Sequence, residues 1–187
     1  MTQKEMTEIF SLLLLAYPNA EIFKGGVQKL APTINLWCEC LPDVDFWIAQ
    51  QAVIKLCREC KFPPTIAEFK EKADAVKSKV EEEIETAWSM FRLSMDANDL
   101  TPKEAFDREP HDSPVRMVIE AMGGPEQLLI QDEHVYSNGD RVPYERYDYD
   151  GFCATYERLL RQRTSLPGSR RPPIGNGNIK QIGGGKR

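Results

Sequence analysis

The sequence predicts an all-α protein with four parts. These are a small N-terminal helical bundle (residues 1–75), a long connecting helix (76–100) that enters a second, acidic helical module (101–165), and a disordered basic tail (166–187). Three observations support this prediction. Apolar residues recur every three or four positions, which is the spacing of a helix face. Thr followed three residues later by Glu, the capping-box pattern, precedes several of these stripes. Proline and glycine fall between the stripes and separate the helices.

Three helices are predicted before residue 61. Thr2 and Glu5 form a capping box at the start of the first helix, and Asp43 or Asp45 caps the third. Pro32 lies off the second stripe, so it either kinks that helix or starts a new one. The inward positions of the three stripes are Met6, Ile9, Phe10, Leu13 and Leu14; Phe23, Val27, Leu30, Ile34, Trp37 and Leu41; and Phe46, Ala49, Val53, Leu56 and Cys60.

The segment KFPPTIAEF, residues 61–69, predicts a fixed corner between two helices. Pro63 and Pro64 end the preceding helix because proline lacks an amide donor and clashes with the preceding turn. Thr65 and Glu68 then begin a new helix with a second capping box. We expect Phe62 to be an apolar plug beneath this corner and hence part of the core, with a contact to a partner as the alternative.

Helical spacing continues without proline or glycine from Thr65 to about Asp96. The middle of this helix, residues 70–85, is rich in Lys and Glu and poor in large apolar residues. A surface of this kind is usually solvated, so we expect an exposed helical connector.

The second module has its own boundary signals. Thr101-Pro102 and Ser113-Pro114 each combine a cap with proline in the first turn, and Gly123-Gly124 supplies a left-handed stop. We expect a short turn next and then a loop over residues 132–142, with a small hairpin around Asn138-Gly139 as the alternative. A last helix is predicted over residues 145–163.

Charge is distributed unevenly along the chain. Residues 1–78 have nine Lys/Arg and ten Asp/Glu, residues 79–165 have ten and nineteen, and residues 166–187 have five and none. An acidic body is a poor general binder of nucleic acid, because phosphates favour clustered cations. The tail has six glycines, three prolines and little apolar area to offset the entropy of ordering it. We therefore expect the body to bind protein and the tail to be disordered.

Composition also bears on location. Hydrophobic residues make up 41% of the chain and charged residues 28%, as in an ordinary soluble protein. The apolar run SLLLLA at residues 11–16 is far shorter than the roughly 20 residues of a membrane span. Residues 1–6 lack the basic region of a signal peptide, and the odd count of five cysteines favours a reducing compartment. We expect a cytoplasmic protein with no membrane contact.

No motif in the sequence predicts catalysis or a cofactor. The nearest match to a phosphate-binding loop, Gly183 to Lys186, lacks the first glycine of that motif and is followed by Arg187 where a hydroxyl residue belongs. His111 and His134 have no helical partner spacing, so we expect both to be solvated. Four cysteines form two close pairs and are weak candidates for zinc, but they fall within helical stripes, where cysteine commonly acts as a small hydrophobe. They are Cys38, Cys40, Cys57 and Cys60.

Three segments of the first 70 residues carry a family resemblance. They are LLLLAYP at residues 12–18, WCECLPDVDF at 37–46 and FPPTIAE at 62–68. Together they resemble the phage-encoded replicative-helicase loader and inhibitor family, and the FPPT corner is the most specific part. The Trp88 region, the Gly123-Gly124 stop and the segment from Phe152 to Tyr156 are similar to the second part of phage replication accessory proteins. The residues carrying the family motif are Tyr17, Pro18, Trp37, Phe62, Pro63, Pro64 and Thr65.

The resemblance implies an adaptor without ATPase activity that acts in the host bacterial cytoplasm. Such proteins bind a hexameric DnaB-like helicase, prevent premature DNA engagement and ATP hydrolysis, and deliver it to an origin-bound initiator. In the family the N-terminal domain is folded and the C-terminal region engages the helicase.

The residues themselves suggest where partners bind, with alternatives. The aromatic residues of the last helix either lie in a partner's groove or fill the core of the second module. The candidate partner-binding residues are Tyr149, Phe152, Tyr156, Leu159 and Leu160. A DNA-binding initiator or regulator is the alternative function, and its tail would contact single-stranded DNA through Arg170, Arg171, Lys180, Lys186 and Arg187. A zinc module or metal-dependent enzyme is a third hypothesis.

Overall fold

The structure is a computed structural model that describes residues 1–25 and 27–164. Within these residues the chain forms seven α-helices and one two-stranded antiparallel sheet. The elements are α1 (Gln3–Ala16), α2 (Ala31–Cys40), α3 (Phe46–Glu59), α4 (Ile66–Asn98), α5 (Pro102–Arg108), α6 (Pro114–Met122), β1 (Leu129–Val135), β2 (Arg141–Tyr147) and α7 (Tyr149–Thr164), with short 3₁₀ turns at Glu21–Phe23, Val27–Leu30 and Pro125–Leu128. The predicted all-α class is confirmed in its main feature, since the fold is 69% helical. The tail predicted over residues 166–187 lies outside the described residues.

The first core lies between α1, α2, α3 and the first turns of α4. The ring of Trp37 stands at its centre, with its centroid 5.0 Å from that of Phe10 and 5.2 Å from that of Phe69. All three side chains are buried, as the apolar stripes predict. Edge-to-face packing of this kind adds about 0.5–1.5 kcal/mol per pair beyond the burial itself.

The second core lies between the later turns of α4 and helices α5, α6 and α7. Phe91, Ile119 and Phe152 are buried at its centre. The early turns of α4 pack in the first core and its later turns pack in the second. A single helix therefore joins both modules. Val80 and Leu160 pack against both clusters. The domain boundaries at residues 75 and 100 remain predictions, since α4 crosses the first without a break and ends close to the second.

The second helix of the bundle is shorter than its apolar stripe. Two short 3₁₀ turns occupy residues 21–30, and α2 begins at Ala31 with Pro32 in its first turn. Pro32 therefore starts a new helix, which is one of the two predicted alternatives. Its fixed φ and missing donor suit the first turn of a helix.

The loop predicted over residues 132–142 is wrong, and the alternative of a hairpin is correct. β1 pairs with β2 in antiparallel register from Leu129 opposite Tyr147 to Val135 opposite Arg141. Gly139 has a φ of +88° in the turn, a conformation that glycine adopts at little cost. The predicted start of the last helix at residue 145 is also wrong, because residues 145–147 belong to β2 and α7 begins at Tyr149.

The base of the hairpin is fixed to α4 by Tyr147. The guanidinium carbon of Arg92 lies 4.0 Å from the centroid of the Tyr147 ring, and the centroid of the Trp88 ring lies 6.0 Å from it. An ion pair of 2.6 Å between Arg146 and Asp132 joins the two strands. None of the described helices combines the length and the apolar composition that a membrane span requires.

Candidate protein-docking surfaces

The proline corner has the backbone geometry that its sequence predicts. The hydroxyl oxygen of Thr65 accepts a hydrogen bond of 3.3 Å from the Glu68 amide, and the Glu68 carboxylate accepts one of 2.7 Å from the Thr65 amide. The backbone bond to Thr65 lowers the pKa of the Glu68 carboxyl, so the reciprocal cap is complete at neutral pH. The capping boxes at Thr2 and Thr101 have the same reciprocal geometry.

Phe62 does not lie beneath the corner, so the predicted apolar plug is wrong. Its side chain is 71% exposed, whereas Pro64 is buried. The amino group of Lys61 lies 5.7 Å from the centroid of the Phe62 ring. Pro63 disfavours a helical conformation for residue 62, the chain bends at residues 61 and 62, and the Phe62 side chain there faces solvent. Phe62 is thus a large apolar side chain that is not needed to fill the first core.

The exposed ring lines an open groove, which we call the corner groove, with a volume of about 690 Å³. Two of the segments that carry the family resemblance, residues 12–18 and 62–68, meet here although more than 40 residues separate them. Ile22 adds a further half-exposed apolar side chain that sequence reasoning missed, because it lies outside the predicted stripes. The lining residues are Ala16, Tyr17, Pro18, Asn19, Ala20, Glu21, Ile22, Lys61, Phe62, Pro63 and Pro64.

Tyr17 positions one wall of the corner groove. Its hydroxyl donates to the carbonyl oxygen of Cys60 at 3.1 Å, with a longer contact of 3.4 Å to that of Leu56. Both carbonyls lie at the end of α3: that of Leu56 also accepts from the Cys60 amide at 2.7 Å, whereas that of Cys60 is among the terminal acceptors that a helix leaves without an intrahelical partner. Burial raises the pKa of the Tyr17 hydroxyl, and the nearby thiols of Cys57 and Cys60 add to the shift. The hydroxyl therefore remains a donor that joins the end of α1 to the end of α3.

The candidate partner-binding residues on α7 fall into two groups. Phe152 and Tyr156 are buried in the second core, which is the alternative that the sequence left open for them. Tyr149 is 38% exposed, and the centroid of its ring lies 5.5 Å from that of Trp88. Leu159 and Leu160 are half-buried and line a smaller groove of about 130 Å³ between α6 and α7. We call this the α6–α7 groove; Pro114, Met117 and Val118 also line it.

The ring of Tyr156 is buried, and its hydroxyl group forms a hydrogen bond. The hydroxyl donates to the Glu83 carboxylate at 3.0 Å, which joins α7 to α4. Burial, followed by this bond to Glu83, raises the pKa of Tyr156 to about 12. The pKa of Tyr149 is also raised to about 12, first by its hydrogen bond with Cys153 and then by burial.

The raised pKa of Tyr156 predicts a loss of stability in alkali. An unfolded tyrosine titrates near pH 10, so between about pH 10 and 12 the unfolded chain loses a proton that the folded chain keeps. The free energy of unfolding should therefore fall as the pH rises through this range. In the Tyr156→Phe variant the fall should be smaller, as measured by urea unfolding at a series of pH values. The exposed Tyr136 provides the control variant Tyr136→Phe, and equal slopes for the two variants would contradict the prediction.

The end of α7 also contacts the first module. A guanidinium nitrogen of Arg161 lies 3.3 Å from the carboxylate of Asp45, which caps α3 by accepting from the Trp47 amide at 2.9 Å. The guanidinium carbon lies 6.0 Å from the centroid of the Trp47 ring. A cleft of about 140 Å³ lies at this junction. Both partners are partly exposed, so the ion pair contributes at most about 1 kcal/mol.

The candidate metal ligands are dispersed among solvent-facing and half-buried positions. Cys40 is exposed and therefore does not act as a buried hydrophobe, while Cys38, Cys57 and Cys60 are half-buried and packed against the first core. Within residues 1–25 and 27–164, no group of three or more His, Cys, Asp or Glu is arranged to hold a metal ion. His111 and His134 are both exposed, as predicted.

Two helical modules share one long helix, and each module has an open apolar groove on its surface. Concave and mostly apolar surfaces of this kind are where ligands usually bind. Residues 1–70 match the family model for the N-terminal domain of the phage gene 39 protein, a DnaB helicase loader and inhibitor. This match confirms the resemblance found in the sequence of these residues. Searches of curated proteins and of solved structures found no match.

Proposed function

We propose that this protein is a replication adaptor of the bacterial cytoplasm. It binds a hexameric DnaB-like helicase, prevents the helicase from engaging DNA and hydrolysing ATP, and delivers it to an origin-bound initiator. The observation that carries the proposal is the match of residues 1–70 to a family of helicase loaders and inhibitors, which are accessory proteins rather than known enzymes.

The structure supports an adaptor in a second way. An adaptor needs two surfaces that two partners can occupy at once, and the chain has the corner groove on one module and the α6–α7 groove on the other. We assign the helicase contact to the second module, where the accessible members of the predicted set are Tyr149, Leu159 and Leu160. Phe152 and Tyr156 support this surface from beneath.

Size-exclusion chromatography of the full chain with an intact DnaB-type hexamer tests the proposal. We expect co-migration and a lower ATPase rate of the helicase. Leu159→Glu should weaken the complex at least about tenfold, because it replaces an apolar contact with a carboxylate that must lose water when a partner covers the groove. The matched control is Leu93→Glu, since Leu93 is 66% exposed on α4 and lies outside the grooves described here. Failure of the wild-type chain to co-migrate with the hexamer would overturn the proposal.

The basic tail carries the second candidate function, a DNA-binding initiator or regulator. The five Lys/Arg residues of the tail lie outside the described residues. The charge pattern of the sequence alone supports the DNA-binding function. Deletion of residues 166–187 separates the two candidates. A DNA-binding function requires that the deletion lowers DNA affinity and its salt dependence, whereas helicase binding through the second module should persist.

A further inference from the structure

The corner groove has a chemistry that selects its occupant. Its walls are mostly aromatic, proline and alanine side chains, and Phe62 and Ile22 stand at its opening with 71% and 46% of their surfaces exposed. Proline and aromatic side chains have few rotamers, so the groove residues lose little side-chain entropy when an apolar anchor binds. The two exposed side chains are grouped at one concave surface, which is a geometry that can receive an apolar side chain of another molecule.

The charges around the groove are not balanced. Glu21, the acidic residue of the lining, pairs with Lys24 at 3.1 Å, and Glu59 in the last turn of α3 pairs with Lys72. In the described part of the chain Lys61, the basic residue of the lining, forms no ion pair. The groove therefore combines an apolar floor with unpaired positive charge, although the first 78 residues have a net charge of −1.

We propose that the corner groove binds an acidic segment of a partner protein, with an aliphatic or aromatic side chain as its anchor. The anchor would pack against Phe62 and Ile22, and a flanking carboxylate would pair with Lys61. This inference rests on the proposed function in one respect, because both assume that the binding partner is a protein. It adds a second contact, on the module opposite to the one assigned to the helicase, and states its chemistry.

Two other occupants fit the groove less well. Nucleic acid requires a run of cations that follows its phosphates, with aromatic rings interleaved among them, whereas this lining has one cation, Lys61, beside one exposed ring. A second copy of the chain in a two-fold contact would bring the unpaired Lys61 of each chain to the same interface. Such like-charge contacts oppose binding.

Designed peptides test the groove without any helicase. The probe is a synthetic peptide of about 12 residues that combines leucine anchors at helical spacing with glutamate, and its counterpart has lysine in place of glutamate. Amide resonances of the full isotope-labelled chain report where each peptide binds. We expect the acidic peptide to shift the resonances of residues 16–22 and 61–64, and to bind at least about tenfold tighter than the basic peptide at low salt.

Two variants and one control sharpen the result. Phe62→Ala should weaken binding of the acidic peptide at least about tenfold, and Lys61→Glu should reverse the charge preference. Leu36→Ala is the matched control, because Leu36 is 51% exposed on α2 and does not line the groove. Phe62 is not part of the core, so its loss should leave the fold intact.

Four results would overturn the inference, of which the first three concern the peptides and the oligomeric state. They are equal binding of the two peptides, shifts confined to residues outside the groove, and a concentration-dependent dimer that Phe62→Ala abolishes. Binding of a single-stranded oligonucleotide in place of the acidic peptide would also overturn it. None of these results bears on helicase co-migration, so this inference and the proposed function can fail separately.

Discussion

Replacing Phe69 with alanine should lower the free energy of unfolding by about 3–5 kcal/mol. The ring is fully buried, and its centroid lies 5.2 Å from that of Trp37 at the centre of the first core. Truncation would remove buried apolar area and leave a cavity between α2 and α4 that rigid helices cannot close. Chemical denaturation followed by circular dichroism measures the loss.

Phe62 supplies a control of the same residue type seven positions earlier. Phe62→Ala should change the free energy of unfolding by no more than about 0.5 kcal/mol, because the ring is already in water. Exchange of amide hydrogens should rise most in α1 to α3 for Phe69→Ala and remain unchanged for Phe62→Ala. A comparable loss of stability in the two variants would contradict the burial of one ring and the exposure of the other.

Phe152→Ala should have an effect of similar size, about 3–5 kcal/mol, on the second module. The Phe152 ring is fully buried, with its centroid 4.9 Å from that of Trp88 and 6.0 Å from that of Tyr156. Amide exchange should accelerate first in α6, α7 and the hairpin, because these elements pack around that ring or adjoin α7 in the chain. Native-state hydrogen exchange resolved by residue measures this order.

The Phe152 experiment also separates support from direct contact. If the ring anchored a partner instead of the core, Phe152→Ala would weaken the helicase complex with little change in stability. Tyr149→Ala is the comparison, since Tyr149 is partly exposed and should affect the complex more than the fold. Thermal unfolding and helicase titration of both variants give the two readouts side by side.

Boundary signals in the sequence were sufficient for most of the helices. The capping boxes at Thr2, Thr65 and Thr101 begin helices where predicted, because a cap depends on residues three positions apart. Local chemistry of this kind does not need the rest of the chain. The family resemblance of residues 1–70 was also visible from local motifs.

The hairpin was underestimated because its strands lack the alternating apolar pattern of a sheet that covers a core. Cross-strand ion pairs and the packing of Tyr147 against Arg92 stabilise it instead. These contacts join residues that are far apart in the chain. A search along the sequence for local periodicity does not detect them.

The order of residues along the chain was enough to specify most of the helices, their caps, the proline corner and the family resemblance of the first 70 residues. The packing of distant elements was needed to show that Phe62 faces solvent while Phe152 is buried, and that Tyr17 and Phe62 line one groove. Both phenylalanines have polar as well as apolar neighbours in the sequence, so the local pattern does not separate them. Caps and breaks depend on neighbours within one helical turn, whereas burial depends on which distant elements close over a side chain.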